Sequence, residues 1–255
     1  METLLKQLMI AIPAAFLGLT ASGTDYFVST NGNNGWDGLS WATAKRDIPS
    51  AISLCADGGT VTVSNGVYTA APEAGAPDYR THMRVTNSIL VQSVNGPDVT
   101  FIDSNYADDG YRRALVISAA ATGAVVRGFT MMRCVHNTDA TVSIATGRVE
   151  NCIIRFNRTR GSTSMGGSVY MAGGTLRNCL VMGNEADCNG GGGVYMVGGL
   201  VENCTIVGNR SGFTGGGLFM SAGEVRNTIV SYNFGGANQT TVYDNVRKTG
   251  GTFHY

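Results

Sequence analysis

The chain carries little charge, little proline and, beyond its first residues, no long apolar run. Charged residues are 14% of its 255 residues, 18 basic against 18 acidic, so the net charge is zero. That balance sets up no field to draw in nucleic acid or an anionic membrane. Five prolines are too few for a proline-rich linker. The 3 histidines stand without metal-ligand spacing, so no zinc site is predicted. No glycine run opens a helix after a strand in the manner of a nucleotide-binding loop. Glycine itself is abundant, with 36 residues, well above the usual share of about 7%. These glycines lack a three-residue period, which excludes collagen and points to repeated turns.

From Met1 to about Gly23 the chain has one lysine, an apolar run from Leu8 to Leu19, and the small residues Ala21, Ser22 and Gly23. This pattern predicts a secretory signal over residues 1–23. The run is shorter than the roughly 20 residues a bilayer span needs. The expected location is therefore secreted or cell-surface, with no membrane span once the signal is removed.

The second half repeats itself. "GGSVYMAGGTLRNCLVMGN", "GGGVYMVGGLVENCTIVGN" and "GGGLFMSAGEVRNTIVSYN" match almost position for position, preceded by "TGRVENCIIRFN". The period is about 24 to 27 residues. Each copy reads as three short strands with no helical periodicity, the pattern of an all-β solenoid whose coils stack into three parallel sheets. About seven coils fit the length. Residues 24–70 are expected to hold an N-terminal strand, a capping helix and the first coil, 71–245 the β-helix, and 246–255 a C-terminal tail. The capping helix is read from "DIPSAISLCADGG", with Asp47 as N-cap, Pro49 in the first turn and Gly58 at the stop.

Alternation within the strands sends Val149, Leu176, Val201 and Val225 inward from the second strand, and Ile154, Val181, Ile206 and Val230 inward from the third. Outward from the second strand stand Arg127, Glu150, Arg177, Glu202 and Arg226. Their signs alternate from coil to coil, so they predict an external ion ladder and not a binding stripe. Asn151, Asn178, Asn203 and Asn227 mark the bend between second and third strands, where asparagine tolerates left-handed backbone and stacked amides can bond between coils. Asn157, Asn184, Asn209 and Asn233 mark the end of the third strand. Of the 6 cysteines, Cys152, Cys179 and Cys204 share one repeat position with Thr228. A position that accepts threonine predicts small buried fillers and no bridge.

The segment "YFVSTNGNNGWDGLSWATAKRDIPSAI", the "NGVY" that follows and the Asn-punctuated coils resemble exported right-handed parallel β-helix proteins of the pectate-lyase-like superfamily, over roughly residues 24–245. Within this stretch, Gly191 to Val194 and Gly215 to Leu218, each followed by Ile-x-x-Asn or Val-x-x-Asn, look like the repeats of polymorphic outer-membrane adhesins. The resemblance implies a single-stranded right-handed parallel β-helix. It also implies that any ligand lies along the outer face of the first sheet, and it does not choose among lyases, hydrolases, adhesins and noncatalytic surface proteins.

On that face the expected register places Arg84, Val116, Ser143, Tyr170, Tyr195, Phe219 and Tyr243. Arg84 and the four aromatics Tyr170, Tyr195, Phe219 and Tyr243 are the candidate binding residues, a row of rings able to stack on sugars or simply on one another. Catalysis would instead need paired carboxylates, or a Ca²⁺-binding acidic cluster with a basic residue for lyase chemistry. The loops before the N-terminal coils supply the only candidates: Asp108 and Asp109 with Arg112 or His136, amid Asp78, Arg80, His82, Arg113 and Asp139. Three functions stay open on the sequence. One is a noncatalytic module binding extracellular polysaccharide or cell-surface glycan, with no cofactor. The second is a polysaccharide lyase or glycoside hydrolase, with Ca²⁺ under the lyase reading. The third is a structural spacer able to associate end to end.

Overall fold

The structure, a computed structural model, describes residues 23–69, 80–106, 112–137, 139–160, 167–187, 190–236 and 242–254. The expected signal, Asp78, Asp108, Asp109 and Cys188 lie outside the described residues. The chain winds into a parallel β-solenoid. Two sheets have seven strands and one has nine, and seven stacked rungs enclose about six full turns. The first sheet runs from Arg80–Val85 to Val246–Lys248, the second from Asp25–Val28 to Thr252–His254, and the third from Gly66–Tyr68 to Ile229–Ser231. A helix at Ile48–Ile52 buries Ile48, Ala51 and Ile52 against the first coils. Asp47 caps it by accepting the Ser50 N–H at 2.9 Å.

The expected columns form. Val149, Leu176, Val201 and Val225 pair rung to rung and are fully buried. Ile154, Val181 and Ile206 do the same in the third sheet, while Val230 on the last rung is only partly covered. Arg127, Glu150, Arg177, Glu202 and Arg226 stand in register on the outside. Bend residues Asn151, Asn178, Asn203 and Asn227 all have φ between 45° and 53°, and Gly128 occupies the same position one coil earlier with φ 81°. The cysteines of the repeat are free and buried. Each thiol donates to the carbonyl two residues back, as Cys179 does to Arg177 at 3.1 Å and Cys204 to Glu202 at 3.2 Å. Thr228 makes the same bond to Arg226 at 2.7 Å, which is why a hydroxyl fits there.

In the bend column the Asn178 amide donates to Asn151 Oδ1 of the neighbouring coil at 3.3 Å, and a longer, buried ladder runs along the other asparagine column. Asn157, Asn184, Asn209 and Asn233 are buried, and the side-chain oxygen of each accepts the backbone N–H of the one before it. Those bonds are 3.0 Å for Asn157 to Asn184, 3.0 Å for Asn184 to Asn209 and 2.9 Å for Asn209 to Asn233. Two of the Gly-Gly runs before first-sheet strands lie close against this ladder. A Cβ at Gly193 would lie 2.9 Å from the amide nitrogen of Asn209, and one at Gly217 would lie 2.5 Å from that of Asn233.

Beyond the three expected sheets, the coils from Val135–His136 onward have a fourth, two-residue strand just after the ladder position. Arg158–Thr159, Glu185–Ala186 and Arg210–Ser211 stack into a narrow sheet where the sequence suggested variable loop. The C-terminal segment is likewise no tail. Val246–Lys248 adds a rung to the first sheet and Thr252–His254 adds one to the second. Asn245 takes the place of Gly193 and Gly217 in the pairing, and its amide closes the ladder by accepting the Asn233 N–H at 3.0 Å.

Candidate functional site

The outward face of the first sheet has the expected order over six rungs: Arg84, Val116, Ser143, Tyr170, Tyr195 and Phe219 pair in sequence. The seventh differs. Phe219 pairs with Arg247, whereas the strand Val242–Tyr243 runs antiparallel to Phe234–Gly235. Tyr243 therefore leaves the candidate row and an exposed Arg247 takes its place. The chain lengthens before the last rung so that Asn245 can reach the ladder, and this shifts the register that simple counting gives.

The rings are stacked on one another along the solenoid axis. Tyr195 and Phe219 have centroids 4.8 Å apart and planes 2° from parallel, and Tyr170 and Tyr195 are 5.9 Å and 20° apart. The Tyr195–Phe219 spacing matches the rung spacing of about 4.8 Å, and the Tyr170–Tyr195 pair is wider. Tyr195 has neighbours on both faces and is only 9% exposed. Gly190 lies against the ring edges, where a Cβ would meet Cδ2 of Tyr195 at 2.8 Å and Cγ of Phe219 at 3.4 Å. So the row is close-packed, and Gly190 covers part of its edge.

Among the described residues, the face of Tyr170 turned toward the N-terminal coils stacks on no other ring. Toward the N-terminus the rung after Tyr170 carries Ser143 and the next carries Val116, both too small to stack. They form a half-buried floor with Tyr170 at one end and the exposed Arg84 at the other. The three rungs from Arg84 to Tyr170 span about 14 Å. That shelf has a planar apolar wall and a cation at opposite ends.

The candidate catalytic groups described in the structure are withdrawn from solvent or already paired. Arg112 is 9% exposed and His136 is 1% exposed. His136 accepts the Asp139 N–H on Nδ1 at 2.9 Å. Burial, with the Arg113 charge adding to it, depresses its pKa to about 4. Arg113 and Asp139 form an ion pair, and so do Arg133 and Asp103. His82, buried, has Nε2 2.8 Å from Ser104 Oγ, and that oxygen is 3.3 Å from Cys134 Sγ. This trio has the residue types of a nucleophilic site but not the electrostatics. Burial and then Arg112 push His82 down to about 3, and burial pushes the Cys134 thiol up to about 12. A thiol so protonated beside an imidazole so weakly basic is inert. The trio instead continues the ladder column, since the Cys134 N–H donates to Asn157 Oδ1 at 3.0 Å. Among the described residues, no three of His, Cys, Asp or Glu gather to hold a metal ion.

The architecture defines the class: a parallel β-helix of the pectate-lyase-like fold. Against solved structures the chain is similar to a rhamnogalacturonan lyase, with a TM-score of 0.51 and 14% identity, over 90% of this chain and 62% of that one. This chain thus spans less than two thirds of that protein's length. No protein-family model matches, and no curated protein does. Sequence reasoning missed Arg247, the inert His82–Ser104–Cys134 line and the stacking direction of the rings. An asparagine twelve residues past Asn233, just before "VRK", was the available signal for the first of these.

Proposed function

We propose that the chain is a secreted or cell-surface glycan-binding β-helix that holds polysaccharide without cleaving it, along the shelf from Arg84 to Tyr170. The observation that carries this reading is the free face of Tyr170 at the end of a fixed ring stack. A pyranose laid against that face covers apolar C–H surface without ordering the side chain first, because its neighbours already hold it. Arg84 at the far end suits an acidic or sulfated sugar. The apolar N-terminal segment supports export. Glycan-array binding of the wild type and Tyr170→Ala tests the reading. Binding to at least one polysaccharide, weakened about tenfold in the variant, is expected. Equal binding by both proteins, or none by either, refutes it and favours a structural spacer.

A second reading is polysaccharide cleavage, favoured by the fold likeness to a lyase. It would rest on Asp108 and Asp109, since Arg112 and His136 are buried. Release of unsaturated sugars or new reducing ends, with or without Ca²⁺, would establish it.

A further inference from the structure

A second concave surface lies far from the ring stack, at the corner where the second sheet turns toward the third in the N-terminal coils. We propose that this groove is a separate binding site for a neutral sugar, with Trp41 as its platform. The groove is shallow and open to solvent, with a volume of about 400 Å³, within the range of ligand-sized pockets. Trp41 forms one wall. It is 47% exposed, and it meets Phe27 edge to face at 4.8 Å and 61°. That contact fixes the indole without covering it.

The opposite wall is built by register. Val28, Val63 and Ser93 pair on successive rungs, so the residues just beyond them emerge from the corner stacked, with Asn65 above Asn95. The Asn95 amide donates to Asn65 Oδ1 at 2.9 Å. That bond leaves both Asn65 amide N–H groups and the Asn95 side-chain oxygen uncommitted within the pair, and Asn31 adds a third amide to the lining. An apolar plate facing a set of donors and acceptors matches a pyranose, which has one face of C–H groups and a rim of hydroxyls.

Among the described residues, no charged side chain lines the groove. A uronate or sulfate entering it would lose hydration without an ion partner, so the site selects neutral sugars. An extended peptide is disfavoured for another reason: the edge of the Asp25–Val28 strand is already covered. Phe27 N–H donates to Gly38 O at 2.8 Å, Lys45 N–H to Phe27 O at 2.9 Å, and Ser29 N–H to Lys45 O at 2.9 Å. The loop carrying Trp41 is fixed in turn by the buried Lys45 ammonium, which donates to the carbonyls of Asn34, at 3.0 Å, and Trp36. The platform is thus in place before any ligand arrives, which lowers the entropy cost of binding.

The chain has 2 tryptophans, so Trp36→Phe leaves Trp41 as the sole indole reporter. Titrating that protein with cellohexaose, xylohexaose and mannohexaose, and with oligogalacturonate as the charged control, reads the site by emission and acrylamide quenching. The expected result is a saturable change with shielding of Trp41 for at least one neutral hexaose and none for oligogalacturonate. Calorimetry on Trp41→Ala should show affinity at least tenfold weaker, with Trp41→Phe between it and the wild type as a check on folding. In the Trp36→Phe background, Tyr170→Ala should leave the shielding of Trp41 unchanged, which separates this site from the shelf. Silence with all three neutral hexaoses, a response to oligogalacturonate alone, or unchanged affinity in a folded Trp41→Ala protein overturns the proposal.

Discussion

The C-terminal and N-terminal coils share one frame and fill it differently. At the ladder position the later coils repeat Asn157, Asn184, Asn209 and Asn233, whereas the earlier ones place Cys134 and Ser104, closed by His82. At the outward position of the first sheet the later coils carry Tyr170, Tyr195 and Phe219, and the earlier ones Arg84, Val116 and Ser143. Where a residue repeats, its side chain is bonded or stacked to its own copies and has little left to offer a ligand. Where repetition stops, a ring face, a cation and a floor are left open. The shelf is the boundary between the two regimes.

The sharpest way to separate the two halves is pH. His82 and His136 belong to the N-terminal coils, and both folded-state pKa values lie below the ordinary ~6.5. The unfolded chain then takes up the protons first. Their stabilising contribution is complete above about pH 6.5 and is lost as pH falls toward 4. At about 1.4 kcal/mol per histidine per pH unit, roughly 3–5 kcal/mol is lost over two units. Hydrogen exchange at decreasing pH should show protection failing first around residues 80–136, and His82→Gln should flatten the stability profile in denaturant melts.

The C-terminal half breaks at its ladder. Asn184 accepts two bonds from Asn157, from its backbone N–H at 3.0 Å and its amide at 3.1 Å, and donates to Ile154 O at 2.9 Å. Asn184→Ala leaves these buried groups unpaired and should cost about 2–4 kcal/mol by chemical denaturation. The exposed asparagine column is a milder case. Asn178 sits at φ 50°, so Asn178→Ala should cost about 1 kcal/mol while Asn178→Gly stays near neutral. Smallest of all is the external ladder. Arg177 Nε is 3.4 Å from Glu202 at the surface, and Arg177→Ala should change stability by less than about 0.5 kcal/mol.

Much of this contrast was legible in the sequence, because a solenoid writes each spatial column as a periodic column of letters. The sheets, the inward valines and isoleucines, the charge ladder and the left-handed bend followed directly from that. Three things did not. Two-residue strands such as Glu185–Ala186 are too short to show any period. Tyr243 and Arg247 were interchanged because the loop before the last rung differs in length from those before it. Counting places the rings outside but says nothing about which way their planes turn, and that decided how much of the row a sugar can reach. The Trp41 groove was hidden for a different reason: its walls come from segments about 25 to 55 residues apart, brought together by register and by the buried Lys45.

The central claim is that the shelf binds polysaccharide and leaves it whole. The most direct test incubates the intact protein with acidic and neutral polysaccharides and, in the same reaction, follows retention of the polymer and the appearance of new chain ends, with and without Ca²⁺. Retention of at least one polymer, diminished by Tyr170→Ala and without cleavage, is the predicted result. Cleavage of the retained polymer, or retention indifferent to Tyr170, would contradict it.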